Sequence, residues 1–215
     1  GAVITDLTLS GDIILGPNVD DKTNLAAGGL VGGVLGNYGN SVIENCTNKV
    51  NISKASTGRD AAGFVGAVGN GDNVLIIRNC VNKGNITGSN NCGGIIGNVD
   101  SGNVIIENTY NKGNITNYLG NHVGGLIGRD GGAEKNSSII INNSYNEGVI
   151  KGKGDTGGLI GRIYGNVNIS NSYNIGEIYN GQRTAYSCIG GIIGRVRETS
   201  SNCIITNVYN SSNII

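Results

Sequence analysis

A single histidine, His122, is the first candidate for acid–base or metal chemistry in this chain of 215 residues. An imidazole in either role needs a fixed partner. Its sequence neighbours Asn121 and Val123 offer none, so His122 reads as a surface-loop residue. No His-Glu-x-x-His element occurs, and no metal site of that kind is expected. Three carboxylates, Asp72, Asp100 and Asp130, follow successive glycine-rich boxes. Aligned on one sheet face, such a row would cleave polysaccharide or hold calcium. Their positions drift by a residue or more, however, and Gly and Asn surround them, so turn chemistry is the expectation. No catalytic residue and no cofactor is assigned.

Binding residues are better supported by spacing. Tyr110, Tyr145, Tyr173 and Tyr209 share one position of an internal repeat, where the first two copies carry Thr47 and Val81. Exposed, a tyrosine stripe binds sugar rings or a protein partner through large faces at small entropic cost. Stacked at a corner, the same rings are packing, and Val81 in the column favours that reading. Arg129, Arg162 and Arg195 directly follow three consecutive boxes, with Arg197 close by. Stacked guanidinium groups repel unless an anion or carboxylates lie between them, so this column is either solvated and splayed or a site for an acidic ligand. Lys49, Lys83 and Lys112, with Glu44 and Glu107 nearby, read as a charged surface that discourages lateral aggregation.

These residues recur because the chain is built from a repeat. Its box reads Gly28-Gly29-Leu30-Val31-Gly32 in the first copy, with starts at 28, 62, 93, 124, 157 and 190, separated by 34, 31, 31, 33 and 33 residues. A second block aligns without gaps: an aliphatic run, Asn-x-x-Asn, then an isoleucine four residues on, as in Ile105-Ile106-Glu107-Asn108-Thr109-Tyr110-Asn111 to Ile115. The opening segment Ile4 to Ile13 fits the same frame, giving seven copies of this block and six of the box. Apolar residues alternate with period two, which is a strand signal, and no window shows helical periodicity. Three short strands per repeat, each stacked on its counterpart, predict an all-β chain: a parallel β-solenoid, right-handed as parallel crossovers usually are, with about six to seven coils. The whole of residues 1–215 reads as one solenoid domain with coils beginning near 3, 28, 62, 93, 124, 157 and 190. Asn48, Asn82, Asn111, Asn146, Asn174 and Asn210 are then expected to stack at one corner as a structural ladder, each amide donating to the next. The paired glycines are expected at another corner, where a side chain would strike the turn above. Pro17 to Leu25 looks like a loop insertion.

Composition narrows the function classes. Fifteen basic and fifteen acidic side chains cancel, leaving no global field for nucleic acid or an anionic membrane. The longest apolar runs, such as Ile139-Ile140-Ile141, are too short to span a bilayer. Five cysteines, an odd number spread over several registers, do not make a disulfide framework. Cys46 and Cys80 occupy one repeat position, but rungs about 4.8 Å apart are too far for bridged Cβ atoms, so free buried thiols are expected. Both ends stop in mid-repeat, which suggests a segment excised from a longer chain.

The box with its Asn-x-Tyr-Asn partner resembles the GLUG repeat of bacterial secreted and cell-surface proteins, also found in the N-terminal regions of IgA-cleaving metalloproteases. The second copy departs in Ala62 and Phe64 and the first in Val50, all keeping the pattern of size and polarity. The resemblance implies an extracellular location and a non-catalytic stalk or binding module of a larger modular protein, with neighbouring domains of the same chain as partners; the tyrosine and arginine columns, read from their spacing, are the surfaces expected to adhere to host glycan or glycoprotein. An N-terminal substrate-recognition region of a large secreted metalloprotease is the alternative, and a glycan-cleaving β-helix the third reading.

Overall fold

The computed structural model of the chain describes residues 1–15, 26–36, 39–54, 60–117, 119, 122–131, 137–181, 187–197 and 202–215. Among these the regular structure is all β-strand, and no helix is long and apolar enough to cross a membrane. The segment from Pro17 to Leu25 lies outside the described residues.

Strands stack in parallel, like on like. Ile4, Ile43, Ile77, Ile106, Ile141, Ile169 and Ile205 form one continuous register column. The isoleucine after Asn-x-x-Asn forms a second, from Ile13 through Ile52, Ile86, Ile115, Ile150 and Ile178 to Ile214. The chain is a parallel β-solenoid. Its six boxes make five box-to-box steps, from Ala27 to Ala61, Cys92, Val123, Thr156 and Ile189. That is about five closed turns, slightly fewer than the sequence count, which included the part-coils at each end.

The box is not one strand. It bends at its glycines, so that Asn91–Gly93 and Ile96–Glu107 belong to different sheets. Glycine is needed there because both sides of the bend are crowded. A Cβ on Gly94 would lie 2.3 Å from Asn111 Cγ and 2.3 Å from the Gly125 carbonyl oxygen of the next coil. The collision with the next turn is the expected one; the collision with the asparagine ladder is new. Ladder and glycines meet across the coil interior, and they pinch it into two apolar lobes. One lobe holds Ile77, Ile106, Ile141, Ile96 and Ile127; the other holds Ile86, Ile115, Ile150, Cys92 and Val123.

The ladder runs through this waist, fully buried from Asn48 to Asn174 and half-buried at Asn210. Asn48, Asn82, Asn111, Asn146 and Asn174 each donate from Nδ2 to Oδ1 of the next, at 2.7 Å throughout, ending on Asn210. The second Nδ2 proton goes to a carbonyl two residues on, as from Asn111 to Gly113 at 2.8 Å. Every amide is thus served without water, as buried polar groups require. The first asparagine of each motif behaves differently. Asn45, Asn79, Asn108, Asn143, Asn171 and Asn207, with Asp6, have positive φ between 48° and 57°, a left-handed conformation that Asn and Asp tolerate best among side-chain-bearing residues. In the first five copies it ends the aliphatic strand, and in the last two, at Asn171 and Asn207, the strand continues through it.

All five cysteines are free; Cys46, Cys80 and Cys92 are buried, while Cys188 and Cys203 are half-buried. Burial pushes the Cys80 thiol up to about 12, so it stays protonated and apolar.

Candidate functional site

The tyrosine column is a stack. Ring centroids of Tyr110 and Tyr145 lie 4.1 Å apart, Tyr145 and Tyr173 4.7 Å, Tyr173 and Tyr209 5.0 Å. Each inner ring therefore spends both faces on its neighbours. Tyr110, Tyr145 and Tyr173 are half-buried and Tyr209 is exposed. What they present outward is a row of edges and hydroxyls, flanked by the Lys112–Glu147 ion pair at 3.2 Å.

The arginine column is neither splayed nor solvated. Arg129, Arg162 and Arg195 share one register, and Asp155 is inserted between the last two. Arg162 Nε donates to its carboxylate, Arg195 Nε pairs with it at 3.2 Å while donating to Cys188 Sγ, and Cys188 N adds a second donor to it at 3.2 Å. Their side chains are only 16 % and 18 % exposed, so the carboxylate, rather than solvent, relieves the repulsion. Arg129, Arg162 and Arg197 also surround the Tyr164 ring, at 5.3, 5.9 and 5.8 Å from its centroid.

Asp155 belongs to a second register, two residues before each box: Ala26, Asp60, Asn91, His122, Asp155 and Cys188. His122 is therefore no loop residue. It opens the strand His122–Gly124 and is 4 % exposed. Asn91 Nδ2 donates to Asp60 Oδ1 at 2.7 Å, which leaves Asn91 Oδ1 to accept from His122 Nδ1 at 2.5 Å. The tautomer is fixed, with the lone pair on Nε2. Burial, reinforced by Arg162, Arg129, Arg195 and Arg197, pushes the His122 pKa down to about 2. It stays neutral, and a general-base role is closed to it because Nδ1 is committed and Nε2 is buried.

Nor do the carboxylates sit in turns. Asp130 ends the strand Ile127–Asp130, is fully buried, and accepts from Ser137 Oγ, from Tyr164 N at 3.1 Å and from Gly165 N at 2.6 Å. It fastens the next coil's corner. Asp100 lies within the strand Ile96–Glu107 and Asp72 within Val65–Arg78, across a register shift. Asp130 aligns with Val99 and not with Asp100, so the expected drift is present and no carboxylate row forms. Among the described residues no group of three or more His, Cys, Asp and Glu is placed to hold a metal ion.

The two registers do make a cleft. In one the side chains grow along the rod, from Gly33 and Ala67 to Asn98 and Arg129. Small residues leave floor, and the longer ones wall it off. The resulting cavity, about 700 Å³, is lined among others by Leu35, Asp60, Asn91, Asn98, Asp100 and Arg129. Asn98 Nδ2 donates to Asp100 Oδ1 at 3.0 Å and also reaches Asp60. Burial raises the Asp60 pKa to about 6, and the charge of Asp100 adds to the rise.

The GLUG motif matches residues 23–53. The chain carries the GLUG motif. That match is one unit, and the register ladder extends its frame through the later coils. No curated protein matches the chain. Among solved structures, it resembles the crystal structure of a putative immunoglobulin A1 protease from Bacteroides ovatus, with TM-score 0.57 and 21 % identity over 95 % of this chain and 74 % of that one. At that identity the likeness is one of fold.

In this solenoid the tyrosine, arginine and ladder positions fall where the repeat alignment puts them. Asp60, Asn91, Asn98 and Asp155 were not singled out from sequence. A signal existed: the position two residues before the second to fifth boxes runs Asp60, Asn91, His122, Asp155, a polar run in a strand whose other members face a core.

Proposed function

We propose that this segment is a non-catalytic rod of a secreted or cell-surface protein, spacing its neighbours and displaying a binding face along one side. The observation that carries the reading is the like-on-like register, in which the histidine and two of the most buried carboxylates are spent on the fold. His122 is neutral and tied to Asn91, Asp130 holds the Tyr164 corner, and Asp155 bridges two arginines. Adhesion to host glycan or glycoprotein through this face is part of the proposal. The tyrosine column offers edges and hydroxyls, which suits a protein partner better than sugar stacking. The test is incubation of the segment with labelled polysaccharides and immunoglobulin A1. No cleavage is expected; hydrolysis abolished by Asp60→Asn or Asp100→Asn would overturn the non-catalytic reading in favour of a glycan-cleaving β-helix.

A second reading has support of its own. The fold likeness to the Bacteroides ovatus protein extends over 95 % of this chain, and a solenoid is suited to holding a long substrate beside a protease. Under this reading the segment recognises the substrate of a larger secreted metalloprotease. Binding of intact immunoglobulin A1, measured by calorimetry, separates it from the plain spacer.

A further inference from the structure

The cleft carries donors and acceptors that the fold leaves unmatched. Asn98 is 4 % exposed and lines it, yet its Oδ1 accepts from no described residue. Arg129 also lines it; its Nη2 donates to the Gly131 carbonyl at 3.1 Å, while its Nε, equally buried, donates to no described residue. Buried polar atoms without partners are uncommon in folded proteins and call for an explanation. Between them stand Asp60 and Asp100, both half-buried and open to the cleft.

Three ligand chemistries can be weighed against this set. A divalent cation would satisfy the carboxylates and Asn98 Oδ1, but Arg129 would repel it and its Nε would stay unmatched. An anion would satisfy Arg129 and meet two carboxylates instead. A hydroxyl group both donates and accepts, so a ligand with several hydroxyls serves every group at once. A cavity of about 700 Å³ lies within the usual range for small-molecule sites, and exposed Leu35 with the small Gly33 and Ala67 positions gives the apolar face of a ring somewhere to rest.

We propose that the cleft between Asp60, Asn98, Asp100 and Arg129 binds a neutral saccharide unit. Ring hydroxyls donate to the two carboxylates and to Asn98 Oδ1, and one accepts from Arg129. Because the Asn98 and Arg129 atoms lie just under the cleft wall, a small rotation of each side chain accompanies binding. The inference rests on reading the rod as a binding segment, and it moves the sugar site from the tyrosine column to this cleft.

The test uses the whole segment and saturation-transfer NMR with methyl glycosides of glucose, galactose, mannose, fucose and N-acetylglucosamine, and of sialic acid as the acidic comparison. Calcium chloride and inorganic phosphate are titrated separately by calorimetry. At least one neutral glycoside is expected to bind with a Kd in the roughly millimolar range ordinary for single sugars, shifting the Asn98 side-chain amide resonance. Asp100→Asn and Asn98→Ala should each weaken it by tenfold or more, while Tyr145→Ala leaves it unchanged. Circular dichroism checks that each variant keeps the β-rich spectrum, and Asp100→Asn, at a half-buried position, keeps the test valid if Asn98→Ala does not fold. Silence from every neutral glycoside overturns the proposal. So does stronger binding of the sialoside, or calcium or phosphate binding that Asp100→Asn abolishes. Those outcomes leave the rod reading standing, whereas hydrolysis of a bound glycoside would instead end the non-catalytic one.

Discussion

Two asparagines three residues apart in one motif are set opposite tasks by their surroundings. Asn111 accepts from Asn82 and donates to Asn146 and Gly113, with no contact to water. Replacing it with Ala strands the Asn146 and Gly113 oxygens and half of the Asn82 amide. A loss of about 2–4 kcal/mol is expected by urea unfolding, since each buried group left unpaired costs about 1–3 kcal/mol. Asn108, at φ 48°, is half-buried, donates to Asn79 Oδ1 at 3.2 Å and accepts from Asn143 Nδ2; there Asn108→Ala should cost about 1–2 kcal/mol and Asn108→Gly less, because Gly relieves the left-handed backbone but still forfeits the two side-chain hydrogen bonds. His122 and Asp60 make a pH experiment. The folded His122 pKa is about 2 against 6.5 ordinarily, so the unfolded chain takes up the proton first. This contribution is complete above pH 6.5 and is lost as pH falls, by about 2 kcal/mol at two units below. The folded Asp60 pKa is about 6 against 3.8, so its ionised form is penalised above pH 6 and stability is regained as pH falls toward 3.8. The two effects oppose each other in the same window. His122→Gln should therefore flatten the acid loss and Asp60→Asn steepen it; parallel pH profiles for the two variants would refute the assignment. The burial of His122 was not legible in sequence, because its partner Asn91 lies one coil away and not beside it in the chain.

At the scale of the element, the decisive contact is between strand bend and ladder. The repeat placed glycines and asparagines at separate corners, since sequence alone reports periodicity and not which columns face each other. In the fold they share the waist. Gly125→Ala would put a Cβ 2.1 Å from the Gly158 oxygen and 2.5 Å from Asn146, backbone on one side and a packed ladder on the other. Gly181 has nothing within 4 Å of such a Cβ. Gly125→Ala is expected to lower stability by several kcal/mol or prevent folding, and Gly181→Ala to be neutral within about 0.5 kcal/mol, both by urea unfolding. The tyrosine stack tests the element differently. Tyr145 makes two ring contacts, each worth about 0.5–1.5 kcal/mol beyond its buried area. Tyr145→Ala should thus cost about 1–3 kcal/mol while Tyr145→Phe is nearly silent; a large effect from Phe would mean that the hydroxyl, and not the stack, holds the column.

For the whole molecule, the repeat made the architecture legible because one period constrained every copy at once. The aliphatic and ladder columns follow from counting; the cleft does not, since Asp60 and Asn98 lie in neighbouring coils and at different points of the repeat. A consequence of the like-on-like register is that a coil can be removed. Deleting residues 124–156, 33 in all, joins Val123 to Gly157 in the same phase of the box. Asn111 would then meet Asn174, Tyr110 meet Tyr173 and Ile106 meet Ile169, each the same residue type as the partner lost. Asp130 and Asp155 leave with the deleted coil, so the Tyr164 corner loosens, Arg162 and Arg195 lose the carboxylate between them, and some stability goes with both. Nearest-neighbour stacking predicts a folded rod shorter by one rung, about 4.8 Å, with an unfolding slope reduced in proportion to the surface removed. A deletion of about half that length would set isoleucine against polar positions and abolish folding. Small-angle scattering and circular dichroism on the two deletions decide the point: a collapsed or unfolded product from the in-phase deletion would show that the coils depend on particular neighbours and not on a shared register.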